Sequence, residues 1–133
     1  MKRIIIDLDH TLCIPDPGSD QSLDPSDKYR NAAPVPGVIA QLRVYRAMGF
    51  EIVISTSRNM RTYGGDVEAI KANSLPLILA WLAEHDVPYD EVIVGKPWCG
   101  FEGFYVDDRA VRPSEFASLS YAEIKALIEP RPH

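Results

Sequence analysis

Carboxylates, hydroxyls and cations recur in this sequence directly after short apolar runs. Isoleucines 4–6 lead into Asp7-Leu8-Asp9-His10-Thr11. Phe50 to Ile54 leads into Ser55-Thr56-Ser57-Arg58, and Glu91 to Val94 into Gly95-Lys96-Pro97. Gly103 to Val106 leads into Asp107-Asp108-Arg109. Asp7 and Asp9 are two residues apart where a strand is ending, so both side chains can reach one pocket. One carboxylate can then attack phosphorus while the other moves a proton. Several acids at one edge repel each other unless a cation sits among them. A hard divalent ion with oxygen ligands answers that need, and Mg²⁺ suits a site that also handles phosphate.

The elements that must carry these residues can be read from periodicity. Arg3 to Leu8 is an unalternating β-branched run, the pattern of a strand covered on both faces of a parallel sheet. Cys13 to Pro36 is rich in Pro, Asp, Ser and Gly and reads as a long loop, of the kind that is functional or disordered, with room for a short hairpin. Val38 to Met48 reads as a helix with Val38, Leu42 and Tyr45 on one face and Ile39 and Met48 beside it. Gly49 closes that helix and Pro36 stands near its start. Phe50 to Ser55 is the second strand. Asp66 to Ala72 and Leu75 to His85 read as helical pieces, Pro76 fitting a first turn. Glu91 to Val94 is a third strand and Gly103 to Val106 a fourth. Ser120 and Glu123 have capping-box spacing ahead of a last helix. Apolar strands alternating with amphipathic helices predict an α/β fold, with ligands at the carboxyl ends of parallel strands.

With that placement, DLDHT at residues 7–11 resembles the DxDxT signature of the haloacid dehalogenase superfamily of phosphatases. Thr56, Lys96 and the Asp107-Asp108 pair resemble its other three motifs, in the same order, so the likeness spans residues 7 to 108. It implies a three-layer α/β/α Rossmann-like fold with a parallel central sheet, residues 1–133 forming one domain. It implies Asp7 as nucleophile, Asp9 as proton donor and then base, Thr56 as phosphate-binding hydroxyl, and Lys96 as the cation beside nucleophile and phosphoryl group. It implies Asp107 as direct Mg²⁺ ligand with the Asp7 carboxylate and the Asp9 backbone carbonyl, and Asp108 around the same ion or bonded to loop backbone. The sequence departs from the pattern twice. His10 stands where many members have glycine, and Ser57 where relatives often have glycine, its backbone N–H still able to face phosphate. Arg58 and Arg61 come next in the chain, and guanidinium groups suit the anionic part of a substrate.

The bulk numbers narrow the partners. At 133 residues the chain suits a single domain, and its composition allows a core without disulfides. A formal charge of −5 offers no general attraction to nucleic acid or anionic membrane. Cys13 and Cys99 lack zinc spacing and read as free thiols in a reducing cytoplasm. No leader and no membrane span is expected. The 12–33 segment, like the one after the second strand, is too short for the large cap domains of the superfamily. An uncapped site favours a large substrate or a homo-oligomer in which a neighbour covers the pocket. The acidic run Asp16, Asp20, Asp24 and Asp27 disfavours strongly anionic polymers there. VISTSRNMRTY and VGKPWCGFEGFYVDD also look like small phosphatase-like proteins of capsular or surface polysaccharide biosynthesis. That likeness implies a sugar phosphate or related precursor as substrate. The rivals are a nucleotide or nucleic-acid-end phosphatase, a non-catalytic regulatory or interaction domain on the same fold, and a phospho-accepting receiver domain.

Overall fold

Three parallel strands form the sheet that carries the first three motifs. In the computed structural model, which describes residues 1–16 and 27–130, β1 is Arg3–Ile6, β4 is Glu51–Thr56 and β5 is Glu91–Val94. The order is β1-β4-β5, with Ile6 opposite Ile54 and Thr56 opposite Val94. Ile52, Val53 and Ile54 are buried in the central strand, as an unalternating β-branched run predicts. β1 and β5 differ: Ile5 is 60% exposed and Ile93 44% exposed. The expectation of burial on both faces therefore holds for the middle strand and not for its neighbours.

After β1 comes a short antiparallel hairpin, β2 (Cys13–Ile14) with β3 (Ala33–Pro34). The short helix α1 (Asp27–Arg30) lies within it. Asp20 and Asp24 of the predicted acidic run lie outside the described residues. Helix α2 (Pro36–Ala47) begins on Pro36 and buries Val38, Ile39, Leu42 and Tyr45. Met48, expected beside that face, is 38% exposed just past the last turn. Gly49 then turns the chain at φ 90, a backbone shape that costs glycine little.

Helix α3 (Val67–Asn73) is capped by Asp66, whose carboxylate accepts from the Ala69 N–H at 3.2 Å. Helix α4 (Leu75–Glu84) buries Ile78, Trp81 and Leu82. Trp81 donates its indole N–H to the Ala32 carbonyl at 2.9 Å, tying α4 to the end of the hairpin loop. Asp90 accepts from the Ile52 N–H at 2.8 Å and from Arg46 at 3.1 Å, anchoring the start of β5 beside β4.

The chain divides into two compact units, Met1–Trp98 and Cys99–His133. The second holds α5 (Pro113–Ser118) and α6 (Tyr121–Ile128). Ser120 and Glu123 form the expected capping box, at 3.1 and 2.9 Å. Helix α5 is additional to the expected elements. Its signals are Pro113 in the first turn and Glu115 accepting from the Arg112 N–H at 2.8 Å. The expected fourth strand does not form. Gly103 to Val106 belongs to no strand, and Phe104 and Val106 are 79% and 88% exposed. Strand composition alone does not make a strand; a ladder partner and a covered face do. The described residues thus form a mixed α/β structure with a parallel three-stranded sheet and six helices.

Candidate active site at the carboxyl ends of the strands

Asp7 immediately follows β1 and the chain then turns sharply. The N–H groups of Thr11, Leu12 and Cys13 all converge on the Leu8 carbonyl, at 2.8–3.2 Å. This tight turn requires a left-handed residue, and His10 supplies it at φ 63. Glycine adopts that shape at the least cost, so a histidine here carries some backbone strain. Through the turn the Thr11 hydroxyl reaches Asp7 and the Cys13 thiol reaches Asp9.

β4 and β5 deliver the remaining groups of the first unit. Thr56, at the end of β4, is 1% exposed, and its hydroxyl accepts from the Arg58 N–H at 3.1 Å. Its own proton remains to be donated. The Lys96 N–H donates to the Thr56 carbonyl at 3.1 Å, which continues the β4–β5 pairing and places the lysine beside β1's end. Lys96 Nζ lies 3.7 Å from Asp7 Oδ1, and Thr11 Oγ1 lies 3.4 Å from Asp7 Oδ2. The nucleophile candidate thus keeps a half-exposed carboxylate between a cation and a hydroxyl. Gly95, at φ 90, makes the preceding turn; a Cβ there would meet Val67 of α3 at 2.9 Å.

Arg58 is the residue whose role differs most from the expectation. Its side chain is 3% exposed, and Nε and the terminal nitrogen donate to Asp9 Oδ2 and Oδ1 at 3.0 and 2.7 Å. The guanidinium also lies over the Tyr29 ring at 4.3 Å. A planar fork meeting both carboxylate oxygens fixes the orientation of Asp9 as no lysine could. Predicted to face substrate, Arg58 faces Asp9. Nothing in the spacing of residues 9, 29 and 58 announced this trio, because its members come from three separate segments.

Cys13 completes the cluster. It is fully buried, and its thiol donates to Asp9 Oδ1 at 3.4 Å, with the Leu8 carbonyl at 3.7 Å. Burial first, and then the Asp9 charge, push this thiol from 9.0 up to about 12. It is therefore a protonated hydrogen-bond donor and not a nucleophile. Ser57 is half-buried and its carbonyl accepts from the Met60 N–H at 3.0 Å, while Arg61 is exposed. Asn59, at φ 63, is held by the Ser74 hydroxyl at 2.7 Å, which pins the loop after Arg58 to the α3–α4 junction.

Asp107 and Asp108 lie in the second unit and are exposed. The Asp107 carboxylate accepts from the Arg109 N–H at 2.9 Å, the local turn role expected for Asp108. Among the described residues no three of His, Cys, Asp and Glu converge as a metal cage. The first unit does present hard oxygens at the β1 end, the donor type that Mg²⁺ takes.

Neither the known protein-family profiles nor the curated proteins gave a match. Among solved structures, the chain is 56% identical to a Vibrio cholerae protein of known crystal structure, over 97% of this chain and 98% of that one, with a TM-score of 0.85. A second likeness, to a chain of the Pnkp1/Rnl/Hen1 complex, has 18% identity and a TM-score of 0.50. It covers 88% of this chain and 34% of that one, and concerns the fold alone.

Proposed function

The chain belongs to the same family as the Vibrio cholerae protein, and we propose that it is a Mg²⁺-dependent phosphomonoester hydrolase of the haloacid dehalogenase type. The observation that carries this reading is the convergence of Asp7, Asp9, Thr56 and Lys96 at one sheet edge, from three strand ends. Four motifs in the right order supply the rest, together with the three-layer Rossmann-like arrangement they imply.

In this reading Asp7 attacks phosphorus. The P–O bond to the leaving group breaks, its electron pair goes to that oxygen, and Asp9 gives it a proton. Water then attacks the aspartyl-phosphate, Asp9 takes its proton, and Asp7 is released with inorganic phosphate. Lys96 holds the Asp7 carboxylate and offsets phosphoryl charge. The buried Thr56 hydroxyl donates to a phosphoryl oxygen. Arg58 acts through Asp9 as a positioning residue. The Asp7 carboxylate and Asp9 carbonyl would hold Mg²⁺; Asp107 and Asp108 enter only as the further ligands that the motif likeness implies. The ion would neutralise charge on the transferring group. The substrate class is a sugar phosphate or related precursor of surface polysaccharide, in keeping with a charge of −5.

Hydrolysis of a small phosphomonoester in the presence of Mg²⁺ tests the reading. Asp7→Asn is expected to remove turnover while the circular dichroism spectrum and melting temperature stay near wild type. Wild-type turnover in that variant would sink the nucleophile assignment. A panel of sugar phosphates, nucleotides and phosphorylated oligonucleotide ends ranks the substrate classes.

A further inference from the structure

Past the end of β4 the chain leaves the sheet, and local bonds must fix its course. Thr56 is still held by the ladder, opposite Val94 and with its carbonyl taken by the Lys96 N–H. Ser57, Arg58 and Asn59 lie beyond the strand, yet Arg58 aims a rigid fork at Asp9. Asn59 turns the chain directly behind that fork. It stands at φ 63, a left-handed shape in which asparagine is enriched over other side chains. Both ends of its amide are engaged. Oδ1 accepts from the Ser74 hydroxyl at 2.7 Å, and Nδ2 donates to Thr62 Oγ1 at 3.2 Å.

Ser74 is committed to this contact. It stands just before α4, where a serine hydroxyl ordinarily caps the helix. Here the hydroxyl makes no cap bond. Pro76 in the first turn has no N–H to give it, and the Leu77 and Ile78 N–H groups go to the Ser74 carbonyl, both at 3.1 Å. Ser74 is buried, so a hydroxyl without Asn59 would be left desolvated. We propose that Ser74 and Asn59 form a positioning pair for the site: they lock the left-handed turn that aims Arg58 at Asp9, and so set the orientation of Asp9 from the α3–α4 junction. The link from Ser74 to Arg58 stands on these bonds; its catalytic consequence rests on the hydrolase reading above. Because the ladder holds Thr56 independently of the turn, the pair acts on the chemical step and not on phosphate binding.

Proton exchange at Arg58 reads the geometry without any turnover. In a proton–nitrogen correlation spectrum the Arg58 Nε–H is identified by its absence in Arg58→Lys. It is expected to exchange slowly with water in the wild type, being buried against Asp9. In Ser74→Ala that exchange is expected to quicken about tenfold. Ile70→Val trims a fully buried side chain of α3 without touching the pair, and is expected to leave the exchange as in wild type. An unchanged exchange in Ser74→Ala, or the same quickening in Ile70→Val, overturns the proposal.

For activity, p-nitrophenyl phosphate is the probe, with Mg²⁺ present. In Ser74→Ala kcat is expected to fall about tenfold while KM stays within about twofold. Asn59→Ala is expected to match it. The double variant is expected to lie about tenfold down rather than about a hundredfold, because either change alone releases the turn. Losses that multiply, or a change confined to KM, overturn the positioning role. A wild type inactive on every phosphomonoester of the panel above refutes the hydrolase reading instead, and the exchange measurement still decides the link from Ser74 to Arg58.

Discussion

Arg58 sets the character of the site at the scale of single residues. It contributes no net attraction toward solvent, because its charge is met by Asp9 and its planar face by Tyr29. What it supplies is the orientation of Asp9, and on the hydrolase reading proposed above Asp9 transfers a proton, a role steep in distance. Arg58→Lys keeps the charge and loses the fork, so kcat is expected to fall about a hundredfold. KM should move little and the pH–rate profile should change shape, which a purely structural defect would not cause. Cys13 gives a second prediction. Its thiol ionises near 9.0 when unfolded and at about 12 when folded. The raised value means its contribution to stability is intact below pH 9 and lost as pH climbs through that window. Urea unfolding should show the wild type losing stability with a slope approaching about 1.4 kcal/mol per pH unit above about pH 9. Cys13→Ser should lack that extra slope relative to wild type.

At the scale of elements, the site depends on turns that only certain residues can make. His10 accepts a left-handed backbone between Asp9 and Thr11, and Gly95 does so between β5 and Lys96. Gly95 is the stricter case, because α3 packs Val67 against the place its Cβ would occupy. Gly95→Ala combines backbone strain with that contact and is expected to destabilise by about 1–3 kcal/mol. It should also shift Lys96, so turnover should fall more than the fold loosens; thermal unfolding and steady-state kinetics measured together check this. The pairing of Asp90 with the Ile52 N–H and Arg46 acts in the same direction, fixing where β5 starts relative to β4. The Ile52 N–H, and then Arg46, hold the Asp90 carboxyl below its usual range. Those anchors explain why Thr56 and Lys96 arrive together although they lie far apart in sequence.

For the whole molecule, charge and division into units set what it can act on. No helix among the described residues is long and apolar enough to cross a membrane. A net charge of −5 opposes a polyanion more than a single phosphate. At low salt, kcat/KM for a phosphorylated oligonucleotide end is expected to lie at least about tenfold below that for a sugar phosphate. Added salt should narrow the gap, since screening relieves the repulsion within a Debye length of roughly 8–10 Å. An oligonucleotide rate that instead falls with salt would point to a local basic groove and to the nucleic-acid reading. Asp107 and Asp108 fall in the second of the two compact units, and Asp7, Asp9, Thr56 and Lys96 in the first.

Local information was enough for much of this. The three paired strands, helices α2, α3, α4 and α6 and the cap at Ser120 were legible because periodicity and capping act within a few residues. The motif residues at strand ends were legible for the same reason: a strand end is a local signal, and parallel strands share one carboxyl edge. Tertiary structure alone decided the pairing of Arg58 with Asp9, the burial that protonates Cys13, and the irregular course of residues 103–106. Each of these depends on groups distant in sequence, or on whether a ladder partner is present. A pattern of residue types specifies what a segment can do, while burial and pairing with remote segments determine what it does.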